Sequence, residues 1–191
     1  MDVPVPTSFA DDPAIGRVLL TEDQLVARIR EIGQQLTDDY AGRAPLLVCV
    51  LRGAYVFLTD LARSIDLPVE IDFIAVSSYG ATTRTSGVGR LVKDLEVDLT
   101  GRDVILAEDI GDPGLTLRYL RRSLEARGPA SLEVAALLAR ESADLESLGV
   151  RYVGFTIPND FVVGYGLDVA EQYRNLRFIA VYDPDAAPAD D

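Results

Sequence analysis

The sequence describes an acidic chain long enough to form one compact domain. It has 191 residues, 48% of them hydrophobic, with a formal net charge of −13 and a pI near 4.4. A surface this acidic repels nucleic acid and anionic membranes, which disfavours a general nucleic-acid-binding role. The sequence contains no histidine, so Ser-His-Asp triads, Cys-His pairs and histidine-ligated metals are excluded. Acid–base chemistry must then come from carboxylates, tyrosine, lysine or water.

The cysteine content and the apolar runs indicate a cytoplasmic protein. Cys49 is the only cysteine and cannot form an internal disulfide, which suits a reducing compartment. Its position in the apolar run Leu46–Leu51 favours a small buried core residue over a nucleophile. No apolar stretch approaches the roughly 20 residues that span a bilayer. The N-terminal residues lack the basic and apolar regions of a secretory signal.

Domain boundaries and the first helix follow from local composition. Residues 1–16 mix proline, aspartate and alanine and are predicted to form an N-terminal arm, 17–184 a single domain, and 185–191 a disordered tail. Thr21 and Gln24 have the spacing of a capping box. Apolar residues at helical spacing follow, which predicts a helix over 22–38.

Short apolar strands then alternate with helices. Strands are predicted at Leu46–Leu51, Val69–Ser77, Asp103–Ala107, Leu132–Leu138, Tyr152–Phe155 and Phe178–Tyr182, and helices at 54–65 and 115–127. This alternation predicts an α/β fold with a mainly parallel sheet covered by helices on both faces. Residues 79–90 are polar and glycine-rich without periodicity, which predicts a flexible loop or hairpin of the kind that often carries function.

The segment Glu108–Thr116 carries the strongest functional signal. Two adjacent carboxylates, Glu108 and Asp109, follow an apolar strand and precede a glycine-containing turn and a helix. Ligands of open α/β sheets bind beyond the carboxyl ends of the strands, and a helix N-terminus attracts anions, so we predict a phosphate site. Sugar hydroxyls or Mg²⁺ would explain carboxylates beside a phosphate. The alternative is an ordinary strand–loop–helix with solvated carboxylates and Asp112 as the N-cap.

This segment resembles the phosphoribosyl-pyrophosphate signature of type I phosphoribosyltransferases. Other segments resemble the hypoxanthine-guanine branch of that family: Leu51–Ala54, Ser77–Gly80, Phe155–Asp168 and Tyr173–Leu176. The likeness runs in order from Val18 to Pro184. It implies the type I fold, a mainly parallel twisted sheet flanked by helices, with a small hood and a flexible catalytic loop.

The resemblance also implies a role for each matching residue. Asp112 would act as general base near the purine N7, while Ser78 and Tyr79 close over the reacting centre. The ribose hydroxyls would be held by Glu108 and Asp109. The 5′-phosphate would be held by Asp112, Gly114, Leu115 and Thr116. Pyrophosphate would be held by Arg174 and by the backbone at Arg52 and Gly53, where the family often has a non-proline cis peptide. The purine would be held by Ile110, Arg140, Phe161, Val162 and Asp168. Magnesium would be held by Glu108, Asp109 and Asp168.

The activity implied is Mg²⁺-dependent transfer of a 5-phosphoribosyl group from phosphoribosyl pyrophosphate to hypoxanthine or guanine in purine salvage. The products would be IMP or GMP and pyrophosphate. The family is usually dimeric or tetrameric, so a homo-oligomer is expected by resemblance alone. Neither nucleic acid nor a membrane is expected as a partner.

Three positions depart from the family pattern. Gly111 replaces a usual isoleucine or valine, and Pro113 replaces a serine or threonine. Because proline has no N–H, one phosphate donor worth about 1.5–3 kcal/mol is lost. Arg140 stands where the family has a lysine, but only one of the 18 basic residues here is lysine, so that change carries less weight. Two alternatives therefore remain open: a paralogue that uses another purine, such as xanthine, adenine or a 7-deazapurine, and a nucleotide-binding protein with weak catalysis.

Overall fold

A mainly parallel sheet forms the centre of the molecule. The computed structural model describes Phe9 and residues 12–77, 90–111 and 115–186. The central strands are β2 (Leu46–Leu51), β3 (Glu70–Ser77), β4 (Arg90–Lys93), β5 (Asp103–Gly111), β6 (Ser131–Arg140) and β7 (Val150–Ile157). They lie in the order β4-β3-β2-β5-β6-β7, and every neighbouring pair is parallel except β3 and the edge strand β4. The predicted α/β sheet is confirmed.

A second, smaller sheet shares no strand with the central sheet. It contains β1 (Ile15–Leu20), β9 (Ile179–Tyr182) and β8 (Val162–Val163), in the order β1-β9-β8, and both pairings are antiparallel. The sequence analysis did not predict β1, because Gly16 and Arg17 interrupt its apolar pattern. Its pairing with β9, which is far away in sequence, makes it a strand.

Helices cover both faces of the central sheet, as predicted. They are α1 (Glu22–Asp39), α2 (Tyr55–Ser64), α3 (Leu115–Glu125) and the short α4 (Leu145–Leu148). The capping box of α1 is present, with the Thr21 hydroxyl accepting from the Gln24 N–H at 3.3 Å. α1 and α2 pack with Leu47 and Ile105 on one face. α3 packs on the other face, where Leu120 joins a cluster with residues of β2 and β5.

Strand β5 is longer than the sequence indicated. We predicted that it would end at Ala107, but it continues to Gly111 because β6 runs alongside it as far as Arg140, pairing Glu108 with Ala136 and Gly111 with Ala139. The paired carboxylates are therefore strand residues.

A buried aspartate fixes the chain that follows β4. Asp72 on β3 is only 6% exposed. Its Oδ2 accepts from the N–H groups of Glu96 at 2.7 Å and Val97 at 3.3 Å, and its Oδ1 accepts from the N–H of Phe73. Burial raises the pKa of this carboxyl, but the three N–H groups and nearby Lys93 outweigh it and leave the pKa lowered.

We expect Asp72→Ala to lower the free energy of unfolding by about 2–4 kcal/mol, because it leaves buried N–H groups without an acceptor. A lowered pKa in the folded state gives stability that is complete above the unfolded pKa and is lost as the pH falls through the folded pKa. The difference between wild type and Asp72→Asn should therefore shrink in acid. Urea denaturation at pH 7 and pH 3 measures both effects, with the exposed Asp66→Ala as control. An Asp72→Ala variant as stable as Asp66→Ala would contradict this role.

Candidate functional site

The carboxyl ends of β2, β5, β6 and β7 meet at one edge of the central sheet. Ile110 pairs with Leu138, and Leu138 with Phe155, so these strand ends lie side by side. The turn Arg52–Ala54 leaves β2 at the same edge and leads directly into α2. Ligands of parallel sheets bind at this edge, and most of the described residues predicted for the site come from it.

Gly53 packs directly against Asp109 at this edge, and Gly166 packs directly against Gly53. A Cβ atom built on Gly53 would lie 1.5 Å from Oδ2 of Asp109, and one on Gly166 would lie 2.2 Å from the carbonyl oxygen of Gly53. Gly166 also has a φ of 101°, which side-chain-bearing residues rarely adopt. The peptide bond between Leu51 and Arg52 is cis. The contacts of the two glycines join the predicted ribose residue to the predicted pyrophosphate turn.

The paired carboxylates have little compensation for their charge. Oε2 of Glu108 is buried and has no hydrogen-bond partner among the described residues. Burial, and then the neighbouring Asp109, raise the pKa of Glu108 well above its usual value. Burial also raises the pKa of Asp109 to about 6, although the Ile110 N–H and Arg174 oppose the shift. A ligand that brings donors or positive charge to this position would relieve that cost.

The same charges act on the lone cysteine. Burial, followed by Glu108 and Asp109, raises the pKa of Cys49 to about 12. Its thiol is fully buried and stays protonated at neutral pH, which makes it a poor nucleophile. The interpretation of Cys49 as a core residue is confirmed.

A cleft beside the paired acids holds both predicted pyrophosphate arginines. Arg52, Asp168 and Arg174 line it, together with Glu171 and residues of β3 and β4. Nη2 of Arg174 lies 2.8 Å from Oδ1 of Asp168, and Nη1 of Arg174 donates to the carbonyl of Gly166 at 2.8 Å. Its Nε is buried and has no acceptor among the described residues. Glu171 was not predicted, because nothing in the sequence distinguishes it from any solvated acid.

The predicted purine residues lie at the junction of the two sheets. Phe161 is 52% exposed, and its ring meets that of Tyr182 edge-on at 5.9 Å between centroids. The Phe161 carbonyl accepts the Tyr182 N–H. In an antiparallel pair the next position is not hydrogen-bonded across the ladder, so the N–H and C=O of Val162 point away from β9. Nη1 of Arg140 donates to the carbonyls of Pro158 and Asp160.

Comparison with known proteins agrees with this geometry. Residues 19–170 match the phosphoribosyl transferase domain family. The Mycobacterium tuberculosis hypoxanthine-guanine phosphoribosyltransferase is 51% identical over 176 residues, which cover 89% of this chain and 87% of the relative. This chain belongs to the hypoxanthine-guanine branch of the phosphoribosyltransferase family. The family and fold predicted from the sequence motifs are confirmed.

Solved structures of this phosphoribosyltransferase branch share the architecture. A Bacillus anthracis hypoxanthine-guanine phosphoribosyltransferase is 43% identical, with a TM-score of 0.81 over 88% of this chain and 99% of that one. A Trypanosoma cruzi hypoxanthine phosphoribosyltransferase variant, complexed with the product IMP, is 37% identical, with a TM-score of 0.82 over 90% of this chain and 92% of that one. In the described part of this family member, no helix is long and apolar enough to cross a membrane.

Several predicted site residues of the phosphoribosyltransferase lie outside the described residues. They are Ser78, Tyr79, Asp112, Pro113 and Gly114. Thr116 is described and stands in the first turn of α3. The segment 78–89 connects β3 and β4, and both strands line the cleft through Ala75, Val76 and Val92.

The carboxylates of the phosphoribosyltransferase site suit a hard divalent cation. No group of three potential ligands forms a complete metal site among the described residues. Mg²⁺ commonly uses one or two carboxylates and takes its other ligands from water and substrate phosphates. Oε2 of Glu108, which has no hydrogen-bond partner among the described residues, and the nearby carboxylates of Asp109 and Asp168 provide oxygen donors of that kind.

Proposed function

We propose that this protein transfers the 5-phosphoribosyl group from phosphoribosyl pyrophosphate to hypoxanthine or guanine and releases pyrophosphate with IMP or GMP. The observation that carries the proposal is the position of the partly buried pair Glu108 and Asp109. Asp109 lies near Arg174 and Asp168 of the cleft, and at the end of the neighbouring strand β6 Arg140 donates to the carbonyl of Asp160, which precedes the exposed Phe161. This arrangement supports a site in which the pair binds a ribose that links a pyrophosphate to a base.

The acids would bind the sugar and the arginines its leaving group. Glu108 and Asp109 would accept hydrogen bonds from the ribose hydroxyls, which satisfies oxygens that burial leaves without donors. Arg52, Arg174 and the backbone at Gly53 would hold pyrophosphate, since guanidinium groups match phosphate oxygens. The first turn of α3, with Leu115 and Thr116, would hold the 5′-phosphate together with Asp112 and Gly114.

The base would be held by stacking and by main-chain groups. Phe161 offers an exposed ring face, and the outward N–H and C=O of Val162 would pair with the exocyclic edge of the purine. Ile110 would pack beside it. Arg140 is anchored to two carbonyls through Nη1, while its Nε and Nη2 carry further N–H groups that would reach a 6-oxo group. Asp168 would lie on the side of the purine that faces the metal ion.

Catalysis in this proposal depends on proton placement and exclusion of water. Asp112 would hold the proton of the purine N7 as the base attacks C1′ of the ribose. Ser78 and Tyr79 would close over the reacting centre. Mg²⁺, held by Glu108, Asp109 or Asp168 and by substrate oxygens, would neutralise negative charge on the leaving pyrophosphate. We also propose a cytoplasmic homo-oligomer that has no nucleic-acid or membrane partner.

A turnover assay across purine bases tests this function. With phosphoribosyl pyrophosphate and Mg²⁺, hypoxanthine and guanine should be converted to nucleotides with stoichiometric pyrophosphate release. Xanthine, adenine and 7-deazaguanine should be poorer substrates. A preference for one of those three would favour the paralogue. Binding of IMP or GMP by calorimetry without any turnover would favour a nucleotide-binding protein.

Pro113→Ser tests whether the missing N–H weakens substrate binding. Restoring the donor should lower the dissociation constant for phosphoribosyl pyrophosphate by about ten- to a hundredfold. Calorimetry in the presence of Mg²⁺ measures this, with Pro129→Ser, in the loop that follows α3, as control. If the affinity does not change, the departure at Pro113 has no cost and the family's usual donor is dispensable.

A further inference from the structure

We propose that Glu171 is an internal competitor of pyrophosphate. In the ligand-free protein its carboxylate takes the place between Arg52 and Arg174 that a pyrophosphate oxygen takes in the complex. The inference rests on the assignment of these arginines in the proposed function. It adds that the protein itself supplies a replaceable anion at the leaving-group position.

The contacts of one oxygen atom define this role. Oε2 of Glu171 lies 2.7 Å from Nη1 of Arg52 and 3.2 Å from Nη2 of Arg174. The same Nη2 lies 2.8 Å from Oδ1 of Asp168. One carboxylate oxygen thus bridges two cations that come from distant parts of the chain, as a bridging phosphate oxygen would.

The backbone fixes where this carboxylate can reach. Ala170, Glu171 and Tyr173 have φ values of 48°, 65° and 71°, a left-handed conformation that costs energy for residues with a side chain. The Glu171 N–H donates to Oδ2 of Asp168 at 2.9 Å, and the Gln172 N–H donates to the Val169 carbonyl at 2.9 Å. This tight turn holds the glutamate side chain over the cleft.

The exposure of Arg52 and Glu171 makes the bridge replaceable. Arg52 is 69% exposed and Glu171 60%, whereas Arg174 is only 18% exposed. Exposed ion pairs contribute little to stability, so an anion of higher charge displaces the carboxylate easily. When pyrophosphate leaves, Glu171 returns to the arginines and opposes its rebinding. The glutamate therefore weakens binding of substrate and product alike and speeds release, a step that limits many enzymes.

Glu171→Gln in the full-length protein tests the inference, because glutamine keeps the shape and removes the charge. Pyrophosphate binding with Mg²⁺ is measured by calorimetry, and the KM for phosphoribosyl pyrophosphate by initial rates. We expect the dissociation constant of pyrophosphate to fall about three- to tenfold, with a parallel fall in KM and an unchanged melting temperature. Glu146→Gln on α4 is the control, since it makes the same charge change on an exposed residue outside the cleft.

The remaining outcomes separate this inference from the function on which it rests. Weaker or unchanged pyrophosphate binding in Glu171→Gln, with normal binding by wild type, overturns the inference alone and makes Glu171 a residue that positions the arginines or has no role. If Arg174→Leu binds pyrophosphate as tightly as the wild type does, the proposed site itself is overturned. A gain in Glu146→Gln equal to that in Glu171→Gln would trace the effect to net charge and also overturns the inference.

Discussion

Gly53→Ala should lower kcat/KM by about a hundredfold or more, because small displacements of reacting groups are costly. Its Cβ would lie 1.5 Å from Oδ2 and 2.6 Å from Cγ of Asp109, well inside contact distance. The Asp109 side chain cannot move freely, since it is partly buried and accepts from the Ile110 N–H at 2.8 Å. Either the carboxylate leaves the proposed ribose position or the turn proposed to bind pyrophosphate is displaced, and both outcomes damage the site.

A double-mutant cycle separates the clash from a general loss of folding. Gly53→Ala should reduce the free energy of unfolding by about 1–3 kcal/mol, as overpacked sites do. Gly53→Ala combined with Asp109→Ala removes the obstructing carboxylate and should recover most of that stability without recovering activity. Thermal melts and initial rates on the four proteins give the result. Full activity in Gly53→Ala would mean that the contact between the turn and Asp109 is not needed.

The second large effect is expected at the paired acids. Glu108→Gln and Asp109→Asn should each raise the melting temperature at neutral pH while lowering kcat/KM by about ten- to a hundredfold, the effect of a lost charge-assisted hydrogen bond. Both carboxyl groups have raised pKa values in the folded protein, mainly because of burial. Their ionised forms therefore oppose folding, and neutral amides of the same shape remove that opposition.

The pH dependence of this gain has a definite sign. A carboxyl whose pKa is raised by folding destabilises the protein as the pH rises from the unfolded pKa to the folded pKa. The amide variants should therefore gain about 1–3 kcal/mol at pH 7.5 and almost nothing at pH 4. Ligand-free melts across that range measure the gain, with Glu146→Gln as control. Amide variants that melt below the wild type at pH 7.5 would show that the charges are already compensated.

Local sequence signals predicted the fold well where interactions between residues close in sequence determine the structure. The capping box at Thr21 and the apolar spacing after it placed α1 to within one residue. Wholly apolar runs such as Leu46–Leu51 marked the buried parallel strands. β1 was missed because its pattern is weak and its partner β9 lies at the other end of the chain. Non-local pairing also extended β5 beyond the apolar run that defined it.

The site was less predictable, because its arrangement depends on contacts between distant segments. The motifs predict roles for Glu108, Asp109 and Arg174, and those roles stay predictions. No local pattern indicates that Gly53 contacts Asp109 or that Gly166 contacts Gly53. Glu171 gave no signal for the same reason. The roles of Asp112, Ser78 and Tyr79 stay predictions, since these residues lie outside the described part of the chain. The roles proposed for Arg140 and Phe161 stay predictions as well.

The outward-facing edge of β8 has a consequence for how base selectivity changes in evolution. If the purine is recognised by the N–H and C=O of Val162, the recognition chemistry is the same for every residue at that position except proline. Conservative substitutions at Val162 should therefore accumulate without changing which base is accepted. Base selectivity would change instead when the pairing of β8 with β9 shifts and reorients the N–H and C=O of Val162. The determinants of selectivity would then be distributed over the residues of a sheet and would not lie at a single position.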